Sequence, residues 1–245
     1  MQDLRTLIHL HTDYSFDSNI SLERLASFSR DNGIGCVAVT DHDTIEGAVR
    51  LRDMNPKGLQ VIVGEEVSTR DGHLIGLFLE RRIRPGMSAR DTANAIREQG
   101  GLVLVPHPFV KAFGCGLGHV ASEILDTIDA VEVCNGQNFF PNADRKAERF
   151  AQANGLIKYV GADSHMASSV APCFQDMREF DGPADFLAAL SEARLTRGYH
   201  PLSYFFAAAY KTARFLSGTG LPASYGVNCS RPHRRPVTGR AVAQA

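Results

Sequence analysis

The feature that most constrains the fold of this sequence is a repeated alternation of short apolar runs with helix-length amphipathic stretches. Thr6–His11 precedes Ser21–Asn32, and Gly35–Thr40 precedes Thr44–Arg52. Gln60–Glu66 has no clear helix behind it. The pattern resumes with His73–Leu79, a helix over Ser88–Gln99 stopped by Gly100-Gly101, and Leu102–Val105. Ala130–Val133, a helix over Pro141–Asn154 stopped by Gly155, and Lys158–Gly161 complete it. Strands separated by helices pair in parallel through right-handed crossovers. Seven such strands in a domain of 245 residues favour a closed or nearly closed α/β barrel, with an open doubly wound sheet as the alternative. A last helix is expected over Pro183–Ala193. From Gly218 onward Pro, Gly, Ser and Arg dominate, so residues 1–217 read as one domain and 218–245 as a mobile basic tail.

Charge and cysteine usage narrow the setting. Lys and Arg number 26 against 27 Asp and Glu, a net charge of -1, so no global field recruits long nucleic acid or an acidic membrane. An anionic substrate has to be attracted locally. The five cysteines are scattered without C-x-x-C spacing, which fits a reducing compartment. No apolar run approaches the roughly 18 residues of a membrane span and no signal peptide is apparent, so a soluble cytoplasmic protein is expected.

Five of the seven strands end in, or lead directly into, His, Asp or Glu: His9 and His11, Asp41 and His42, Glu66, His107, and Asp163 and His165. Parallel barrel strands finish on one face, so these residues converge on one mouth. Residues two apart on a strand project to the same side, which lets His9 and His11 share a metal, and Asp163 and His165 repeat the spacing. An H-x-H pair alone is weak evidence. With His73, however, six of the nine histidines join carboxylates here, and burying so many charges together is costly without cations. Mixed imidazole and carboxylate ligands suit Zn, Mn or Fe better than Ca or Mg.

The motifs His9-Leu-His11, Thr40-Asp41-His42-Asp43, Gly64-Glu65-Glu66-Val67-Ser68, Pro106-His107-Pro108 and Gly161-Ala162-Asp163-Ser164-His165 resemble, in order and spacing, the PHP (polymerase and histidinol phosphatase) family. The resemblance runs from about Leu7 to Arg197. It implies a distorted (β/α)7 TIM-like barrel with two or three divalent metal ions, used to hydrolyse phosphate esters. By the same resemblance His9, His11, Glu66 and Asp163 hold a first metal, and Glu66 bridges to a second held by His73 and His107. Asp17, His42 and His165 are similar to the set for a third. Asp17 rests on the stretch Tyr14–Ser18, with Asp13 as the fallback. Glu66 is taken over Glu65, which should project away from the site. Asp41 orients an imidazole or a water, or else caps the helix Thr44–Arg52. Ala162 replaces the family's usual serine, which removes one hydroxyl. Glu132 and Asn135, after the sixth strand, either line the pocket or lie at the surface.

The reaction implied is in-line attack of metal-bound hydroxide on phosphorus, with a local cation beside the transferring group. Lys111 is the first candidate for that cation, followed by Arg145 and Arg178. The near-neutral charge favours a small phosphorylated metabolite or nucleotide over long nucleic acid. Alternatives are an exonuclease acting on short oligonucleotide ends and a metal-binding domain without turnover. An amidohydrolase barrel also begins with H-x-H, but commonly places a carboxylated Lys at a strand end, whereas Lys158 begins a strand and Glu66 fills the bridging place.

Overall fold

In the computed structural model, residues 3–110, 115–118, 120–138, 142–167, 170 and 173–200 are described, with 205, 209–210, 212–213 and 216 beyond them. Lys111 and the tail 218–245 lie outside the described residues. Seven strands close into a ring: β1 (Leu4–Leu10), β2 (Cys36–Val39), β3 (Gln60–Ser68), β4 (His73–Leu77), β5 (Leu102–Val105), β6 (Ala130–Asn135) and β7 (Ile157–Ser164), with β1 pairing both β2 and β7. The chain thus forms the distorted seven-stranded α/β barrel expected.

The apolar runs form strands because both of their faces are covered. Ile8, Cys36, Ala38, Ile62, Ile75, Leu77, Leu104, Ala130 and Tyr159 make one buried cluster inside the ring. Their alternating neighbours, including Leu7, Val37, Val63, Val103, Val131 and Val160, pack outward against helix residues such as Leu25, Leu51, Ile96 and Ala151. Those helices are α1 (Leu22–Asp31), α2 (Glu46–Met54), α3 (Ala89–Arg97) and α4 (Asn142–Ala153). The hydroxyls of Ser21 and Ser88 accept the N–H groups of Arg24 and Asp91, which sets where α1 and α3 begin. Gly100 (φ 73°) and Gly155 (φ 64°) take the left-handed turns that end α3 and α4.

Two departures from simple alternation matter. First, β4 is antiparallel to both β3 and β5: only a short turn joins β3 to β4, with no helix to return the chain to the other end of the barrel, so β4 runs back alone between parallel strands. Second, two short strands went unread in the sequence: β8 (Phe174–Met177) and β9 (Arg194–Thr196). β8 runs antiparallel along Leu4–Thr6, below the point where β1 and β7 separate. There the Gln175 side chain accepts from the Val160 N–H (2.6 Å) and donates to the Thr6 carbonyl (3.2 Å), replacing ladder bonds that the splayed strands cannot make. Helix α5 (Gly182–Ser191) closes this end with Phe186, which meets Phe180 and Phe78 edge to face. Among the described residues no helix is long and apolar enough to cross a membrane.

Candidate metal centre

The first strand cannot place its two histidines by alternation alone. Ile8 already faces the barrel interior, so a regular strand would turn His9 and His11 outward. Instead the register slips: Ile8 pairs with Ala38 and Leu10 with Val39, leaving His9 as the extra residue of a bulge at φ 62°. The bulge resets the pleat and turns both imidazoles into the mouth. His107 (φ 28°) and Asp163 (φ 46°) are likewise held in the left-handed region, which costs non-glycine residues free energy and marks a functional constraint. His73 opens its strand, and because β4 is antiparallel that position lies at the mouth, paired with Ser68.

Glu66 is the hub. Its Oε2 lies 3.2 Å from His9 Nε2, 3.2 Å from His11 Nε2 and 3.5 Å from His42 Nδ1. Its Oε1 lies 2.7 Å from His73 Nδ1 and 2.9 Å from His107 Nε2. Asp163 Oδ1 sits 3.4 Å from His9 Nε2 and 3.5 Å from His11 Nε2. On the other side Asp17 Oδ2 is 3.4 Å from His42 Nε2 and 3.5 Å from His165 Nε2. All nine sequence-derived candidates therefore meet in one cluster. Ligand-type atoms fall within 4.8 Å of one another in four overlapping groups: His9, His11 and Glu66; His42, Glu66 and His73; His9, His107 and Asp163; and His11, Asp17, His42 and His165. His9, His11 and His42 each belong to two groups where the family resemblance implies one, and His107 falls with His9 and Asp163 instead of with Glu66 and His73.

The donor set fits divalent cations. His11 Nε2 and His42 Nδ1 are buried and make no hydrogen bond, although carboxylate oxygens face them. Burial alone would lower the His9 pKa, but the carboxylates of Asp163, Glu132 and Glu66 carry it well above the usual value. Burial would lower the His11 pKa too, but the facing carboxylates of Asp163 and Glu66 push it to about 9. Burial would raise Asp17, Glu66 and Asp163, yet the facing imidazoles pull all three well below the ordinary carboxylate range. The shifts of His9 and His11 both favour positive charge among these carboxylates, the charge that a divalent cation would supply.

A ring of polar side chains supports the cluster. Glu132 Oε1 takes a hydrogen bond from His9 Nδ1 (2.8 Å), and its Oε2 accepts from the His107 backbone N–H (2.6 Å) and from Asn135 Nδ2 (3.0 Å). Glu132 and Asn135 therefore line the pocket and are buried. Asp41 neither orients an imidazole nor caps α2: its carboxylate accepts from the Thr12 N–H (2.5 Å) and hydroxyl (2.7 Å), fixing the loop that carries Asp17. Gln137 Nε2 lies 2.6 Å from His165 Nδ1, and Ser15 donates to Asp17 Oδ1 (3.0 Å) and accepts from the His42 N–H (3.2 Å). Neither was singled out in the sequence. Ser15 lies within the Tyr14–Ser18 stretch and could have been; Gln137 carries no local signal.

Glu65 points away from the mouth and accepts the Ile83 N–H (2.7 Å). Asp13 is exposed, outside the cluster that Asp17 joins. The Ala162 side chain belongs to the outer apolar layer, so a serine hydroxyl there would face the helices, not the ligands. Of the cation candidates, Arg145 is exposed in the first turn of α4, bound to Asn142 Oδ1 (2.7 Å). Arg178 follows β8 at the opposite end of the barrel and pairs with Asp185 (2.5 Å), so it cannot serve the mouth.

The sequence profile of the PHP domain matches residues 8–104, and that of the PHP-associated family matches residues 141–195. The chain is 36% identical over 143 residues to the uncharacterized protein MJ1587 of Methanocaldococcus jannaschii, covering 52% of this chain and 80% of that one. A two-domain protein of Bacteroides vulgatus, described as containing a predicted PHP-like metal-dependent phosphoesterase, superimposes with a TM-score of 0.64 at 16% identity, over 80% of this chain and 65% of its own. The lesion-specific endonuclease PfuEndoQ of Pyrococcus furiosus gives a TM-score of 0.59 at 15% identity, over 81% of this chain and 59% of its own. The chain thus spans under two-thirds of the length of either structural neighbour.

Proposed function

Because the chain belongs to the PHP domain family, we propose that it is a metal-dependent phosphoesterase that hydrolyses a phosphate ester of a small metabolite or nucleotide. The observation that carries the reading is the divided carboxylate of Glu66, one oxygen facing His9, His11 and His42 and the other His73 and His107. Such an arrangement suits a bridge between two cations. Asp163 would complete the set around His9 and His11, and Asp17, His42 and His165 would hold a third ion. When bound, these ions supply hydroxide near neutral pH and offset charge on the phosphoryl oxygens.

The protein's part is placement and exclusion of water. The His9, His11 and Glu66 side chains are at most 1% exposed, whereas Asp163 is 14% and His107 9% exposed. A phosphoryl group would therefore meet the cluster over its more exposed members, Asp163 and His107 together with His165, His42 and Asp17 (8%, 7% and 7% exposed), with His9 and His11 beneath. The net charge of -1 favours a small ester or a chain end over a continuous strand, which a basic track would have to hold. Zn, Mn and Fe suit the donors.

One structural neighbour is an endonuclease, so the test pairs small esters with oligonucleotides. Purified, metal-loaded protein is assayed against monoesters, nucleotides, oligonucleotide ends and an amide, with and without chelator. Chelator-sensitive release of phosphate from small esters is expected. Chelator-insensitive turnover would overturn the proposal, and no turnover by fully loaded protein would favour a metal-binding domain without catalysis.

A further inference from the structure

Three of the cluster residues, His9, His107 and Asp163, have left-handed backbone conformations, at φ 62°, 28° and 46°. Each is tied to the same place. Glu132 binds the His9 ring through Nδ1 (2.8 Å) and the His107 backbone N–H (2.6 Å), and Asn135 Nδ2 spans Glu132 Oε2 (3.0 Å) and Asp163 Oδ2 (2.9 Å). Space for that carboxylate is reserved in the sequence: a Cβ added at Gly161 would come within 1.6 Å of Glu132 Oε1. Glu132 itself is 2% exposed and lies on β6, across the barrel from β3, which carries Glu66.

We propose that Glu132, with Asn135, is a positioning residue for the metal centre, fixing the His9 tautomer and holding His107 and Asp163 in their strained conformations. By accepting from Nδ1–H, Glu132 leaves the lone pair of His9 on Nε2, the atom facing Glu66 and Asp163. By accepting the His107 N–H it pins a backbone that would otherwise relax out of the left-handed region. The inference rests on reading the cluster as a metal centre.

The test measures the zinc affinity of full-length wild type, E132A, E132Q and N135A by competition with a chromophoric chelator. Folding is checked by circular dichroism, and the His9 ring is followed by 15N NMR of the zinc-loaded proteins, its signal assigned with H9Q. Wild type should show His9 protonated at Nδ1 in a strong hydrogen bond. In E132A that signal should be lost and zinc affinity should fall about 10- to 100-fold. E132Q can accept one of the two bonds but not both, so an intermediate loss is expected, and N135A should lose least. Should E132A fail to fold, E132Q and N135A decide. Wild-type affinity in both, or an unchanged His9 signal in a folded Glu132 variant, would overturn the inference while leaving the metal reading intact. Wild type that binds no zinc, manganese or iron would overturn both.

Discussion

The two ends of this barrel are built from the same strands by opposite rules. At the floor, Ile62, Leu77, Leu102 and Leu104 alternate regularly with outward-facing neighbours, and the same cluster takes in Phe180 and Phe186. At the mouth, the register slips at His9 and again between Glu132 and Cys134, and left-handed residues crowd in. The floor is stabilised by burying apolar surface. The mouth buries imidazoles and carboxylates, which stabilises nothing unless they are paired or hold cations. One end makes the fold, and the other spends some of that stability on chemistry.

The sharpest way to separate the ends is to remove the hub of one and the packing of the other. Glu66→Gln should lower chelator-sensitive phosphoesterase turnover by roughly a thousandfold or more, since it strips the bridging charge from the cluster. Elemental analysis should show the loss of at least one bound metal, with the fold kept. Leu104→Ala at the floor should do the reverse, costing about 2–5 kcal/mol in denaturant unfolding while the folded fraction keeps its metal. A Glu66 variant with full metal content, or a Leu104 variant with normal stability, would break the contrast.

How much of each end could be read from sequence follows the same division. The floor strands were legible because apolar runs and serine-capped helices signal locally, as at Ser21 and Ser88. The mouth ligands were legible as residue types at strand ends, but not the bulge that aims His9, because bulges are set by pairing partners. β8 was illegible because Gln175 and Asp176 serve neighbours far away in sequence: Gln175 patches the gap between β1 and β7, and Asp176 pairs with Arg5 and Arg194. Glu132 looked equally like a surface residue, since its partners His9 and His107 come from other strands.

A smaller effect separates the ends by pH. In metal-free protein His11 is raised from 6.5 to about 9, so its contribution to stability is complete below pH 6.5 and is lost as the pH rises through about 9. Chelated protein should therefore lose on the order of 2–3 kcal/mol between pH 6 and pH 9.5, a loss absent from the metal-loaded form. Thermal unfolding with and without chelator measures it. A second pH effect lies outside the mouth, at Glu65, which burial pushes up to about 8. Its stability contribution fades as the pH rises from its unfolded value, near 4.5, through about 8. Glu65→Gln should flatten that part of the profile by on the order of 3 kcal/mol without changing metal content.

The most direct test of the mouth is the number of ions it holds. Protein loaded with zinc, manganese or iron, freed of excess metal and measured by elemental analysis, should retain two or three ions per chain. His42→Ala or Asp17→Ala should remove one of them, and His9→Ala should impair the site around Glu66. Fewer than two ions in wild type, or an unchanged count in all three variants, would contradict a cluster built to hold metal.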